Sequence, residues 1–515
     1  MSGARGIVAA VLLVSICAAA PALGQGGPRI CIVSVENGTP TAADLGQGYR
    51  MAGRFIAFPG TSRPIIYPLN REGVWTIDES RAFVPYGGAF PVWRGSLWTK
   101  YAFEPLSKRI VAAHMRDVFV AGSDGVFREA GGVDPGEKVA FHSAIHIPRL
   151  DRTFLATSHG LRVVEYEAVK PVAGAERSIV GGVHRIFDLP SSPGMVLDGA
   201  SHKIFLRGDD GAVAEAYVLA RARMRSWIFT DSVVSVEELP TPDTLLLRSY
   251  HETVLIEIDR TATTVRPRAA HSLQTFSCNR GADGSRELLS TALNTFLVYG
   301  RTPDGACSRN GPRPAVRGLE RLHGRSFVPV PGGEVRMAGG QPMHDLPTLG
   351  IVLLKTVSDV DKGFGNGGLL AYDGDRVTPI PGSGHEEIGA FVRVYDARSL
   401  GKVLLLTTKG LYELTTERTI RRIATPPAFS FERHPAIAEM PASRVALLLG
   451  DAGVLALDTG GQVHPVKGSE RYRYSPTGPP DPSPFMPKTD ELLLIGRNGL
   501  FLAVDQNLAG DAVCQ

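Results

Sequence analysis

Short apolar runs, each closed by Gly, Asp, Asn or Pro, recur along the whole chain. Near the C-terminus they read ELLLIGRNGLFLAVDQ, VALLLGDAGVLALDTGGQVHPV, VLLLTTKGLYELTTERTIRRI and IVLLKTVSDVDKGFGNGGLLAYDGDRVTPI. Runs of four or five residues rich in Leu, Val, Phe and Thr are too short for ordinary helices and suit strands. Each phrase predicts a strand, a turn, a second strand and usually a third. Aligned on the glycine before the second run, the units fall at Gly368, Gly410, Gly453 and Gly499, in steps of 42, 43 and 46 residues. A proline shortly before the first run marks further copies: IPRLDRTFLAT, LPSSPGMVLDG, LPTPDTLLLRS, MPASRVALLLG and MPKTDELLLIG. Weaker copies follow Gly73, surround Gly125 and follow Gly160, which brings the count to about ten units.

The runs are apolar at successive positions, whereas a sheet with one wet face alternates, so the sheets are expected to be covered on both sides. A period of 42 to 46 residues is that of a propeller blade, and no blade buries itself alone. The chain resembles a bacterial exported or sensor-type β-propeller, and GVLALDTGGQVHPV is similar to the strand-turn-strand of quinoprotein-like repeats. The resemblance implies an all-β propeller of about ten blade-like repeats, arranged as one large ring or two smaller rings. No regular WD dipeptide, Asp-box or blade-closing Trp is present, so sialidase-like and quinone-dependent activities are not implied.

The N-terminus reads MSGARGIVAAVLLVSICAAAPALGQ, with Arg5 before an apolar stretch from Gly6 to Ala20 and small residues at Ala22 and Gly24. This is the pattern of a signal peptide over 1–24, leaving residues 25–515 as the repeat array. Ile16 before Cys17 departs from a lipoprotein signal, and no later stretch is apolar for long enough to span a membrane. The expected address is therefore exported, periplasmic or secreted. Cleavage leaves Cys31, Cys278, Cys307 and Cys514, for which 31 with 514 and 278 with 307 is the favoured of three pairings. Cys31 and Cys514 stand at the ends of the mature chain, where PRICIVSVE is expected to form a strand beside the final unit and close the array.

Lys and Arg number 55 against 52 Asp and Glu, a net charge of +3, which excludes the strong field of a non-specific nucleic-acid binder. Candidate chemistry lies in the connections. GRTPDGACSRNGPRPAVRGLERLHGR crowds Arg301, Arg309, Arg313, Arg317, Arg321 and Arg325 into a Gly- and Pro-rich stretch suited to carboxylates, phosphates or sulfated sugars. Tyr86, Phe90, Trp93, Trp98, Tyr101 and Phe103 form an aromatic segment that stacks on sugars if exposed and fills an interface if buried; Tyr472 and Tyr474 form a second. Asp359 and Asp361 sit in a Gly-rich turn of the kind calcium accepts, without the downstream Glu of an EF-hand. Calcium is the one candidate ion; no cofactor is predicted. His142 and His146, four apart, are expected on one face of a strand. Glu386 and Glu387, read as adjacent strand residues, are expected to point to opposite faces. There is no HExxH, no GxSxG elbow and no phosphate loop; AGSDG at Ala121 to Gly125 reads as a hairpin turn.

These features point to an exported propeller that binds an envelope protein or a polysaccharide as a scaffold. The alternative is a propeller hydrolase or lyase acting on polysaccharide, which requires acidic or His residues converging at the axial mouth.

Overall fold

A computed structural model describes, apart from single residues and short stretches, residues 29–35, 55–56, 65–66, 75–85, 100–132, 138–219, 233–273, 287–299, 318–357, 366–425, 436–472, 485–486 and 491–509. The chain is all-β: the described residues form ten four-stranded antiparallel sheets, nine of them with their strands in spatial order along the chain, the arrangement of propeller blades. In chain order the blades span residues 55–85, 100–129, 141–176, 183–218, 233–272, 287–329, 343–379, 391–423, 436–465 and 485–505. The tenth has only three strands of its own, and Ile30–Ser34 supplies the fourth, pairing antiparallel to Gly499–Asp505 with Cys31 opposite Val504. The sequence pattern suggests a missing third strand there, but the short Phe485–Met486 makes the absent one the fourth. Among the described residues no helix is long and apolar enough to cross a membrane.

Second and third strands are buried on both faces because consecutive residues face different neighbours. Leu404 and Leu406 of blade 8 pack towards blade 9, while Val403 and Leu405 pack towards blade 7. Apolar clusters of this kind join blades 2 to 3, 3 to 4 and 4 to 5. They continue through blades 5 to 6, 6 to 7 and 7 to 8, then 8 to 9, 9 to 10 and 10 to 1. Blades 5 and 6 adhere as the others do, so the sheets form one continuous series, not two separate five-bladed rings.

The repeat glycines open the third strands. Gly160, at φ +101°, needs the left-handed region, and a Cβ there would stand 2.5 Å from the carbonyl oxygen of Ala175 in the fourth strand. The prolines begin the turn after the first strand, as in the 3-10 turns Pro148–Leu150 and Pro347–Leu349.

Two residues before five of these turns sits an acid that the hydrophobic pattern does not reveal: Asp188, Glu238, Asp345, Asp396 and Glu439. Each binds the turn of the preceding blade. Asp345 accepts from Ser290 Oγ at 2.6 Å and from the Thr291 amide and hydroxyl at 2.8 and 2.6 Å. Glu238 accepts from the Ser191 amide at 2.7 Å, Glu439 from the Ser399 amide at 2.8 Å and Asp396 from the Thr348 amide at 3.4 Å. Asp188 takes the guanidinium of Arg149 instead. The device staples neighbouring blades at one end of their first strands.

Candidate functional site

Strand direction sorts the connections onto two faces. Turns joining first to second and third to fourth strands leave one face; they are short in every blade but the first. Links from second to third strands, and from one blade to the next, leave the other. The long segments 86–99, 219–232, 273–286, 300–318, 358–365, 424–435 and 466–484 all join strand ends on that second face, called here the insertion face. Arg309, Arg313 and Arg317, Trp93 and Trp98, and Asp359 and Asp361 fall in these segments and lie outside the described residues, as do Cys278, Cys307, Cys514, Tyr474 and residues 1–24.

The arginine stretch is divided by the fold. Residues Leu319–His323 form a strand, five residues that span roughly 16 Å. Arg325 therefore stands at the opposite end from Gly318, in a turn where its guanidinium pairs with Glu257 of blade 5. Arg321 donates to the Gly374 carbonyl of blade 7 at 2.9 Å. Both are inter-blade contacts; Arg301, Arg309, Arg313 and Arg317, upstream of Gly318, lie outside the described residues.

Other readings are relocated in the same way. Tyr472 is 1% exposed and packs edge-on against Phe501 with centroids 5.6 Å apart, so it is core. Phe103 is buried on the first strand of blade 2. Glu386 and Glu387 lie in a single helical turn, His385–Ile388.

The described part of the insertion face carries several imidazoles and cations. Bulges between Phe141 and Ser143 and between Val183 and Arg185 interrupt the two-residue alternation at the start of adjacent first strands. His142 is thereby brought against His184 of the next blade, ring centroids 5.2 Å apart, and does not share the surroundings of His146, which lies beside Asp151 near the other end. Burial lowers the pKa of both rings, with His184 and Lys100 adding to the effect on His142 and His202 to that on His184. Both are neutral at pH 7. The same face carries His159, bonded to Arg177 at 3.1 Å. Across the array Lys355 lies 5.1 Å over the Phe391 ring with its pKa lowered by burial, and His344 approaches the same ring. Sequence spacing shows the histidines but not the bulges that gather them.

Asp198, 1% exposed, is a strongly perturbed carboxyl. Burial pushes its pKa up to about 7, against the Val233 amide and Arg185, which pull it down. Blade 4 grips the start of blade 5 here: Val233 donates to Asp198 Oδ2 at 3.2 Å, and Arg185 donates to the Val233 carbonyl at 2.9 Å. Because the folded pKa exceeds the unfolded value, Asp198 adds stability in acid that is lost as pH rises through about 7. Asp198→Asn should therefore be the more stable protein at pH 8, by up to about 4 kcal/mol, with the difference shrinking towards pH 4. Urea denaturation at the two pH values reads this directly, and equal stability at pH 8 would refute it.

No protein-family model matches the chain, and no curated protein matches it. Among solved structures it is similar to the extracellular domain of the putative one-component system BT4673 from B. thetaiotaomicron. That match has 11% identity and a TM-score of 0.31, covering 90% of this chain and 77% of that one. A virginiamycin B lyase from Staphylococcus aureus matches at 8% identity and a TM-score of 0.28, covering 59% of this chain and 88% of that one. Likeness at this level carries no functional argument, and the site has to be judged on its own chemistry.

Proposed function

We propose that this protein is an exported β-propeller that acts as a binding or assembly scaffold of the cell envelope or extracellular space, holding an acidic protein or polysaccharide on its insertion face. The observation that carries this reading is the sorting of connections. The strand ends from which the long segments depart lie on the face that carries Lys100, Arg177, Lys355 and the neutral His142 and His184, and Arg309, Arg313 and Arg317 belong to one of those segments. Loops on a rigid scaffold are the usual seat of recognition, and guanidiniums suit carboxylate and sulfate groups. The leader-like pattern over 1–24 supports export.

Asp198 favours the scaffold over the hydrolase or lyase. Its carboxyl titrates near neutrality, as a general acid would, but it is enclosed and committed to Val233, so it holds two blades together. The same reading includes the bridges Cys31–Cys514 and Cys278–Cys307, which non-reducing peptide mapping of the secreted chain would read out.

The test uses a sulfated polysaccharide and poly-glutamate as probes. Replacing Arg309, Arg313 and Arg317 together by Ala should weaken binding at least tenfold near physiological salt and flatten its salt dependence, because exposed charges are screened over about 8 Å there. Arg325→Ala should leave binding unchanged, since that guanidinium is engaged at the other end of its blade. Unaltered affinity in the triple variant would overturn the proposal.

A further inference from the structure

On the face opposite the insertions, blades 3 and 4 form an open pocket of about 440 Å³, lined by Arg152, Phe154, Glu165, Pro171, Arg207 and Asp210 among others. Arg207 belongs to the third strand of blade 4, Lys203–Gly208, and reaches across to blade 3, where its guanidinium carbon lies 5.7 Å from the Phe154 ring centroid. Its Nε is buried without a partner. Among the described residues its guanidinium makes one hydrogen bond, from Nη1 to the carbonyl of its own neighbour Gly208 at 3.3 Å.

The acids nearby are already engaged. Asp209 accepts from Arg149 at 2.9 and 3.1 Å, and Asp210 Oδ1 caps the Ala212 amide at 3.0 Å. Burial lowers the Arg207 pKa more than Asp209 and Asp210 raise it, and Arg152 lowers it further. A second guanidinium at the pocket is loosely tied: Arg152 stands 3.8 Å from Glu165, whose carboxylate is held more closely by Lys170 at 3.0 Å. The rim is made by Gly174 and Gly211, both at positive φ, and a Cβ on Gly211 would stand 3.7 Å from Arg207 Nη2. Side chains are thus kept away from the guanidinium's open edge.

A half-buried guanidinium with unused donors, braced on an aromatic ring, suits a planar acceptor. We propose that this inter-blade pocket binds the carboxylate of a small organic ligand, with Arg207 as the bidentate anchor and Arg152 as a second cation, while Pro171 and Val172 face its carbon skeleton. The pocket volume is at the scale of one small molecule. The site is independent of the insertion face, so either proposal can fail alone.

The experiment is calorimetric titration of the native protein with succinate, with glucuronate and with inorganic phosphate. Succinate and glucuronate separate a free acid from an acidic sugar as the source of the carboxylate. At least one is expected to bind at a single site, with phosphate at least tenfold weaker. Arg207→Lys, which keeps the charge and removes the planar fork, should lower the affinity at least tenfold. Arg152→Gln, at a side chain that is 57% exposed, should lower it severalfold without disturbing the fold. Replacing Arg309, Arg313 and Arg317 should change nothing at this site. Failure of both carboxylates to bind, phosphate binding of equal strength, or full affinity in Arg152→Gln would each overturn the assignment, the last even if Arg207→Lys did not fold.

Discussion

Removal of residues 25–35 is expected to abolish the soluble native state. The strand Ile30–Ser34 covers the edge of Gly499–Asp505 along its length, and without it that edge presents unpaired amides and carbonyls. The lost strand also takes Ile30 and Ile32 from the core shared with blade 9, and Cys31 and Val35 from the core shared with blade 1. At about 1.5–3 kcal/mol for each fully buried apolar side chain, Ile30, Ile32 and Val35 together are worth on the order of 5–9 kcal/mol, comparable with the whole stability margin of a folded domain. The truncated chain should elute as aggregate, or melt far below the parent. A synthetic peptide of sequence PRICIVSVE, added during refolding, should restore monomer by strand addition. A truncated chain that stays monomeric and melts within a few degrees of the parent would show that the tenth blade closes without this strand.

The second large effect is expected at Asp345. Its two carboxylate oxygens accept from Ser290, from both donors of Thr291 and, at 3.3 Å, from the Ala292 amide, tying blade 7 to the turn of blade 6. Asp345→Ala leaves those donors without an acceptor, one of them on Ser290, which is 1% exposed. Hydrogen bonds to a charged group are worth about 1.5–3 kcal/mol, and stranding their partners adds to the cost, so a loss of about 3–4 kcal/mol is expected. Asp396→Ala, which removes one long bond to the Thr348 amide and a loose ion pair with the exposed Arg398 at 3.5 Å, should cost about 1 kcal/mol or less. Thermal melts of the two variants beside the parent decide the matter. Equal losses at the two positions would mean that the acids do not staple blades in proportion to their bonds.

How far the sequence carries depends on the distance over which each feature is determined. Strand position, the number of units and burial on both faces were legible, because they follow from local alternation, from Gly and Pro punctuation and from a period near 43 residues; the pattern showed at most three strands to a unit where the sheets have four. Leu404 to Leu406 read as doubly buried without any knowledge of what covers them. Ten units could be counted for the same reason, and ten sheets are present. The staples were not legible: acids stand two residues before Pro190, Pro240, Pro347 and Pro441, yet nothing local says that each reaches the previous blade's turn.

What required the tertiary structure is everything that depends on how one ladder sits against the next. His142 meets His184 only because bulges in two adjacent blades re-aim both rings, and a bulge shifts side chains by one position without a mark in the hydrophobic pattern. The arginine stretch looked like one cluster, but a five-residue strand sends Arg325 to the far end of its blade and into an ion pair with Glu257. Arg207 and Phe154, 53 positions apart and unremarkable in sequence, share a pocket because blade 3 packs on blade 4. The repeat pattern determined the blades by itself. Which side chains of neighbouring blades touch was fixed only by the packing between them, since strand register and sheet twist decide those contacts and neither is written in the local pattern.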